Sequence, residues 1–234
     1  MTLNKSKGVA MFRSVGWTWN PLTGCEWGCE YCWAKRHADR YNKPFNPQFR
    51  EHFLKDKLPD DGTWIFVCSN GDFNSPNMGK EWKASVLRTI KNYQGSCKFL
   101  LTSKSPRDFI PLYEELYEIR DRIILGTTIE TNREITWSNA PDPVNRAEFL
   151  SFFKTNGFKT FLSLEPLADF DLMKLLSYVE IIKPEAIEIG LENYTDVLPR
   201  PDNEKIISLV EHLHEKGYNY MMKKNLSWVD DVVG

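Results

Sequence analysis

Apolar and polar positions alternate in two textures along this chain. Short runs rich in β-branched and aromatic residues occupy 14–19, 63–68, 97–102, 122–129, 160–164, 186–191 and 218–222. Between them lie longer amphipathic stretches at about 33–42, 79–93, 106–119, 144–156, 171–181 and 203–216. The first texture predicts strands and the second predicts helices. Boundary residues agree with that division. Ser105-Pro106 offers an N-cap followed by proline at the first helical position, and Asp202 stands where it can cap the last helix. Asn156-Gly157 and Lys216-Gly217 read as C-terminal stops, because glycine enters the left-handed region freely.

Strand–helix alternation implies parallel strands joined by right-handed crossovers. The expected fold class is α/β: a partial (β/α) barrel of six to seven parallel strands with outer helices. A doubly wound open sheet is the rival that periodicity leaves open. The chain has 234 residues, and one α/β barrel routinely takes about 200–250, so a single domain over 1–234 is expected. Residues 43–62, with Pro44, Pro47, Pro59 and Gly62, form a long inserted connection with room for a short helix. Loops at 131–143 and 193–201 are long enough to be functional.

Composition narrows the classes. Hydrophobic residues at 41% and charged residues at 26% exclude a disordered chain. The net charge of −2 leaves no global field toward nucleic acid or anionic membrane, so such a partner would need a local basic patch. No apolar run approaches the ~20 residues that span a bilayer. The N-terminal stretch MTLNKSKGVAMFRS lacks the continuous apolar segment of a secretory signal. A cytoplasmic protein with no membrane partner is expected.

The five cysteines are odd in number, and three cluster at Cys25, Cys29 and Cys32. A secreted disulfide framework favours an even count spread along the chain, so this cluster points to a metal or redox site. Cys68 and Cys97 read as small buried hydrophobes of the core.

The cluster lies in Trp17-Thr-Trp-Asn-Pro-Leu-Thr-Gly-Cys25-Glu-Trp-Gly-Cys29-Glu-Tyr-Cys32-Trp-Ala-Lys, between the first strand and the first helix. Its spacing is C-x3-C-x2-C. Gly24 and Gly28 permit turns that aim several thiolates inward. Cys32 opens a helix, whose positive end favours a thiolate. Three thiolates on a cubane [4Fe–4S] cluster leave one iron open to an exogenous ligand, whereas electron-transfer clusters normally use four. Trp17, Trp19, Trp27 and Trp33 surround the cysteines in sequence and are candidates for a low-dielectric shell.

This spacing, with Tyr31 as the aromatic before the last cysteine, resembles the signature of the radical S-adenosylmethionine (radical SAM) superfamily. The flanking Trp19-Asn20-Pro21, Gly24-Cys25 and Cys32-Trp33-Ala34 resemble, more narrowly, a phage- and prokaryote-encoded radical-SAM-like family of uncharacterised function. The resemblance implies a βα-barrel core in which Cys25, Cys29 and Cys32 hold a [4Fe–4S] cluster whose open iron chelates the amino and carboxylate groups of S-adenosyl-L-methionine. It implies one-electron cleavage of the carbon–sulfur bond, giving methionine and a 5′-deoxyadenosyl radical that abstracts hydrogen from substrate. Reduced flavodoxin or ferredoxin is the implied electron donor, and a nucleic-acid base or lesion is one candidate substrate.

Barrel enzymes place their chemistry at the C-terminal ends of strands. Here those ends read Ser69-Asn70-Gly71-Asp72, Thr102-Ser103-Lys104, Thr128-Ile129-Glu130-Thr131-Asn132, Ser163-Leu164-Glu165-Pro166, Gly190-Leu191-Glu192-Asn193 and Met222-Lys223-Lys224. By resemblance, Gly71 and Asp72 fall where the superfamily binds the methionine ammonium. Glu130 falls at the ribose position with Asn132 as its alternate. Tyr31 flanks adenine, and Gly190 lets adenine approach the backbone. Glu165, Lys104 and Lys223 are the candidates for substrate contact and catalysis. Glu165 follows an apolar strand and needs a partner if it points inward, with Lys104 or Lys223 as its counter-ion.

Two other readings remain open at this stage. Cys25, Cys29, Cys32 and His37 fit a Cys3His zinc site, in a non-enzymatic module touching nucleic acid through Lys35, Arg36, His37 and Arg40. A barrel hydrolase using Asp72, Glu130 or Glu165 leaves the cysteines without a role.

Overall fold

The seven predicted strands all form and line up in one sheet because each carries apolar residues on both faces, as a strand covered on both sides requires. The computed structural model describes residues 3–6, 12 and 15–233. Ser14, at the start of the first predicted strand, lies outside the described residues, as does most of the N-terminal stretch read for a signal. The strands are β1 (Leu3–Lys5), β2 (Val15–Trp19), β3 (Leu22–Thr23), β4 (Gln48–Phe49), β5 (Trp64–Val67), β6 (Lys98–Thr102), β7 (Ile123–Thr128), β8 (Lys159–Leu164), β9 (Ala186–Ile189) and β10 (Tyr220–Met222). The helices are α1 (Trp33–Arg40), α2 (Lys80–Asn92), α3 (Tyr113–Glu118), α4 (Pro143–Thr155), α5 (Leu172–Ile182), α6 (Asn203–Glu215) and α7 (Asp230–Val233).

The main sheet has eight strands in the order β1-β2-β5-β6-β7-β8-β9-β10. Every neighbouring pair is parallel except β1 on β2. The sheet curls and ends on β1 and β10 without closing, so the architecture is a half-barrel with helices outside.

The two-residue alternation of a strand divides the core. Ile65 and Val67, Phe99 and Leu101, Ile123 and Leu125, Leu162 and Leu164, and Ile187 and Ile189 face the helices in the large outer core. Phe66, Leu100, Ile124, Phe161 and Ala186 fill the concave side with Val15, and Phe12 packs against them. Each fully buried side chain of the larger apolar types contributes about 1.5–3 kcal/mol. Further along the same inward rows the residues become Thr18, Thr102, Thr128 and Ser163, and these line a cavity. The concave face is therefore plugged with hydrocarbon below and opens over hydroxyls at the C-terminal ends of the strands.

Three sequence expectations change. The helix expected at 106–119 splits into a 3-10 turn, Pro106–Leu112, and α3. Pro111 has no N–H for the helical ladder, which accounts for the break. Ser105 does occupy the cap position, but its hydroxyl donates to the Asp108 carboxylate at 2.7 Å and makes no side-chain cap bond. Asp202 likewise sits at the cap of α6 without a side-chain cap bond. The two glycine stops are as expected, with φ of 85° at Gly157 and 68° at Gly217. The inserted connection holds β4 and a short 3-10 helix, Glu51–Lys55. Among the described residues no helix is long and apolar enough to cross a membrane.

Candidate functional site

The cysteine loop leaves β2 and is clamped between two backbone segments. β3 pairs with β4 in the inserted connection, and Gly24 bridges to Gly71 after β5. Gly24 N–H donates to the Asn70 carbonyl at 3.0 Å, and Cys25 N–H donates to that of Phe45 at 2.8 Å. A β-carbon on Gly24, whose φ is 85°, would lie 2.1 Å from the Asn46 carbonyl oxygen. One on Gly71 would lie 2.4 Å from that of Gly24. Only glycine lets these backbones approach so closely.

Each of the three sulfurs meets a hydrogen-bonding group. Trp27 N–H donates to Cys25 Sγ at 3.5 Å, and Lys35 N–H donates to Cys32 Sγ at 3.4 Å as Cys32 caps α1. Ser138 Oγ is 3.1 Å from Cys29 Sγ. Ser138 belongs to the 131–143 loop, which folds over the cysteines: Asn139 N–H donates to the Trp27 carbonyl at 2.8 Å and Glu30 N–H to the Trp137 carbonyl at 3.0 Å. Burial pushes the Cys25 thiol far above its ordinary value, with Asp72 adding to the effect, and burial also raises Cys32.

A cavity of about 680 Å³ opens at the C-terminal ends of the strands. Cys25, Cys29, Cys32, Tyr31, Gly71, Asp72, Lys104, Glu165 and Lys223 all line it. Asp72 is buried and accepts from Ser103 Oγ at 2.7 Å, Lys104 N–H at 2.8 Å and Asn74 N–H at 2.9 Å. Glu165 pairs with Lys223 at 3.4 Å; burial raises its carboxyl and Lys223 opposes that. Gly190 makes room for this pair, since a β-carbon there would sit 2.7 Å from Lys223 Cγ and 3.1 Å from Glu165 Cδ.

Lys104 turns to a different acid. Glu130 is fully buried and is not among the cavity-lining residues. Its carboxylate accepts from Tyr31 Oη, Lys104 Nζ and, at 2.6 Å, Arg146 Nη1. Lys104 Nζ also donates to Tyr31 Oη at 2.6 Å and stands 5.3 Å from the centre of its ring. Burial alone would raise the Glu130 carboxyl, but Arg146 and then Lys104 hold it down to about 2. Burial and the Glu130 charge push the Tyr31 phenol well up. Asn132 lies apart, its amide donating to the Asp171 carbonyl at 2.6 Å and its oxygen accepting from Asp171 N–H at 2.9 Å.

Two participants escaped the sequence reading. Arg146 is wholly buried on the face of α4 that carries Ala147, Leu150 and Phe153. A charged residue in an apolar stripe was the available signal. Ser138 gave none, because nothing local connects it to Cys29. The expected four-tryptophan shell does not form. Trp17 and Trp19 pack with the outer core, Trp19 donating to the Phe53 carbonyl at 3.0 Å and Trp17 to Asp61 at 2.9 Å. Trp27 is buried in the cysteine loop, and Trp33 is 45% exposed at the cavity rim.

Three cysteine residues lining one cavity, each sulfur beside a backbone N–H or a hydroxyl, suit a thiolate-ligated metal cluster, whose sulfurs such hydrogen bonds tune. The Cys3His arrangement is not formed among the described residues: His37 is exposed and packs its ring 4.9 Å from that of Tyr41. No group of three or more His, Cys, Asp or Glu there is placed to hold a single ion.

Known structures agree with this fold. A cysteine-to-serine mutant of spore photoproduct lyase superposes with a TM-score of 0.62 at 11% identity, over 84% of this chain and 61% of that one. A double mutant of the lyase with bound AdoMet and dinucleoside spore photoproduct gives 0.58 at 11% identity, over 88% and 63%. Streptococcus suis SuiB bound to S-adenosylmethionine gives 0.55 at 12% identity, over 88% of this chain and 46% of SuiB. The chain thus spans less than two thirds of either protein. The fold is that of the radical SAM half-barrel, and Cys25, Cys29 and Cys32 are consistent with its C-x3-C-x2-C motif. Residues 13–182 match the model of a family described as "Protein of unknown function (DUF5131)", and the chain belongs to that family. Comparison with curated proteins finds no match.

Proposed function

We propose that this protein is a radical SAM enzyme, with Cys25, Cys29 and Cys32 holding a [4Fe–4S] cluster and S-adenosyl-L-methionine seated beside it in the cavity. The observation that carries the reading is that these three cysteines line one cavity of a half-barrel together with Tyr31, Asp72 and Lys104. When bound, the cluster and S-adenosylmethionine supply reductive cleavage of the sulfonium and hence hydrogen abstraction from substrate, with the electron drawn from reduced flavodoxin or ferredoxin.

The chain's own residues hold and orient. An ionised carboxylate offers about four acceptor positions, and Asp72 uses three on protein donors, leaving one for the methionine ammonium. Glu130 acts on the ribose through Tyr31 and Lys104, which it fixes in place at the cavity wall. Gly190 serves by admitting the Glu165–Lys223 pair, and that pair faces the substrate. Asn132 takes no part. The hydrolase alternative loses ground because Asp72, Glu130 and Glu165 are each already engaged by donors or a cation.

The test is product formation. Protein reconstituted anaerobically with iron and sulfide, then given S-adenosylmethionine and reduced flavodoxin, is expected to form 5′-deoxyadenosine and methionine. A colourless protein that retains stoichiometric zinc and forms neither would overturn the assignment.

A further inference from the structure

Helix α1 starts at the cavity rim and carries more than the last cysteine. Ala34 and Ala38 are buried against the body of the protein, while Trp33, His37 and Tyr41 are all exposed. These three aromatics follow one another at four-residue intervals along one side of α1 and its C-cap, and the His37 and Tyr41 rings pack against each other with centroids 4.9 Å apart. Beside them run Arg36, Arg40 and Lys43, also exposed. The Arg40 guanidinium and the Lys43 ammonium each stand 5.9 Å from the centre of the Tyr41 ring. The acid of this helix, Asp39, is engaged by Lys35 at 2.5 Å. Arg36 donates to the Tyr194 carbonyl at 2.7 Å, which brings a further exposed aromatic, at 57%, to the same rim. No carboxylate among the described residues pairs with Arg36, Arg40 or Lys43 within ion-pair distance.

Exposed rings clustered with cations that lack a carboxylate partner are what a single-stranded nucleic acid recognises: bases stack on the rings and phosphates meet the cations. A protein partner of acidic character would use the cations but has no need of three exposed rings beside them. We infer that the α1 face binds a single-stranded nucleic acid, the packed His37–Tyr41 pair offering its exposed ring surface to a flanking base while Arg40 and Lys43 hold the phosphates. Trp33 then delivers the strand at the cavity mouth, which makes a base in that strand the substrate class. The last step rests on the radical SAM reading, but the binding itself does not.

The experiment is fluorescence anisotropy with the full chain free of cluster, using a labelled oligothymidylate of about 12 nucleotides and its duplex with oligodeoxyadenylate. Single strand is expected to bind more tightly than duplex. Tyr41→Ala should weaken it about fivefold or more, the range for losing one stacked base. The Arg40→Ala/Lys43→Ala double variant should lower the slope of log affinity against log salt by about 1.4, or about 0.7 per lost phosphate contact. Circular dichroism and unchanged uncoupled 5′-deoxyadenosine formation in reconstituted samples would report intact folding. Equal affinity and slope in wild type and both variants would overturn the proposal. So would intact oligonucleotide binding in a double variant that no longer accepts electrons from reduced flavodoxin, an outcome that gives this face to an acidic redox protein.

Discussion

Cys29→Ala is expected to remove 5′-deoxyadenosine formation, to the level of protein without iron. Cys29 sits between two sulfurs whose positions are set by backbone, Cys25 by its bond to the Phe45 carbonyl and Cys32 by its place at the cap of α1. If the three thiolates hold the cluster as proposed, this change would leave it one thiolate short, and Ser138, the side chain beside Cys29, offers only a hydroxyl in its place. Loss of partners outside the ligand shell typically costs about 10–100-fold, and loss of a ligand should exceed that. Iron and sulfide content measured beside product separates loss of cluster from loss of turnover. A Cys29→Ala protein that retained cluster and turnover would remove the basis of the site.

Arg146→Met is expected to destabilise the fold by about 3–5 kcal/mol, the cost of leaving one partner of a buried ion pair behind. Arg146 and Glu130 are both completely buried. Beyond the carboxylate, the guanidinium donates to the carbonyls of Pro141 at 2.6 Å and Thr128 at 2.9 Å, so the loop over the cysteines and the end of β7 lose support together. The pair also dictates an acid limb. The Glu130 carboxyl lies at about 2 in the folded protein against 4.5 for the ordinary group. A depressed carboxyl stabilises fully above its unfolded value and loses that contribution as pH falls through its folded value. The contribution is therefore present above about pH 4.5 and is lost progressively toward pH 2, to a total of about 3 kcal/mol. Urea denaturation across that window should show a shallower decline for Glu130→Gln than for wild type. Parallel declines would mean that Glu130 is not held ionised by its neighbours.

What was legible in the sequence was whatever is written locally. The strands could be read because inward and outward rows are both apolar, as at Trp64-Ile65-Phe66-Val67, and because glycines 157 and 217 stop their helices. The cysteine spacing could be read because all three ligands sit in one loop. β1 escaped because three residues carry too short a pattern to distinguish a strand. The pairing of charges was legible only in part: Glu165 was expected to meet Lys104 or Lys223, and Lys223 is the one that does, while Lys104 meets Glu130 instead. Lys104 pairs with Glu130 across 26 residues of chain and Lys223 pairs with Glu165 across more, and only the curl of the sheet decides which ends meet. Tyr31 and Glu130 are 99 residues apart, yet their contact ties the cysteine loop to β7. Likewise, sequence proximity suggested a tryptophan shell, but the pleat sends Trp19 to the helices and leaves Thr18 facing the cavity.

The proposed function requires an iron with a vacant coordination position. Electron paramagnetic resonance of the anaerobically reconstituted, reduced protein, recorded with and without S-adenosylmethionine, addresses it directly. The expected result is a reduced [4Fe–4S] signal whose g-values change when S-adenosylmethionine is added, with the change absent in Cys29→Ala. A cluster spectrum indifferent to S-adenosylmethionine, or no cluster signal at all, would contradict it.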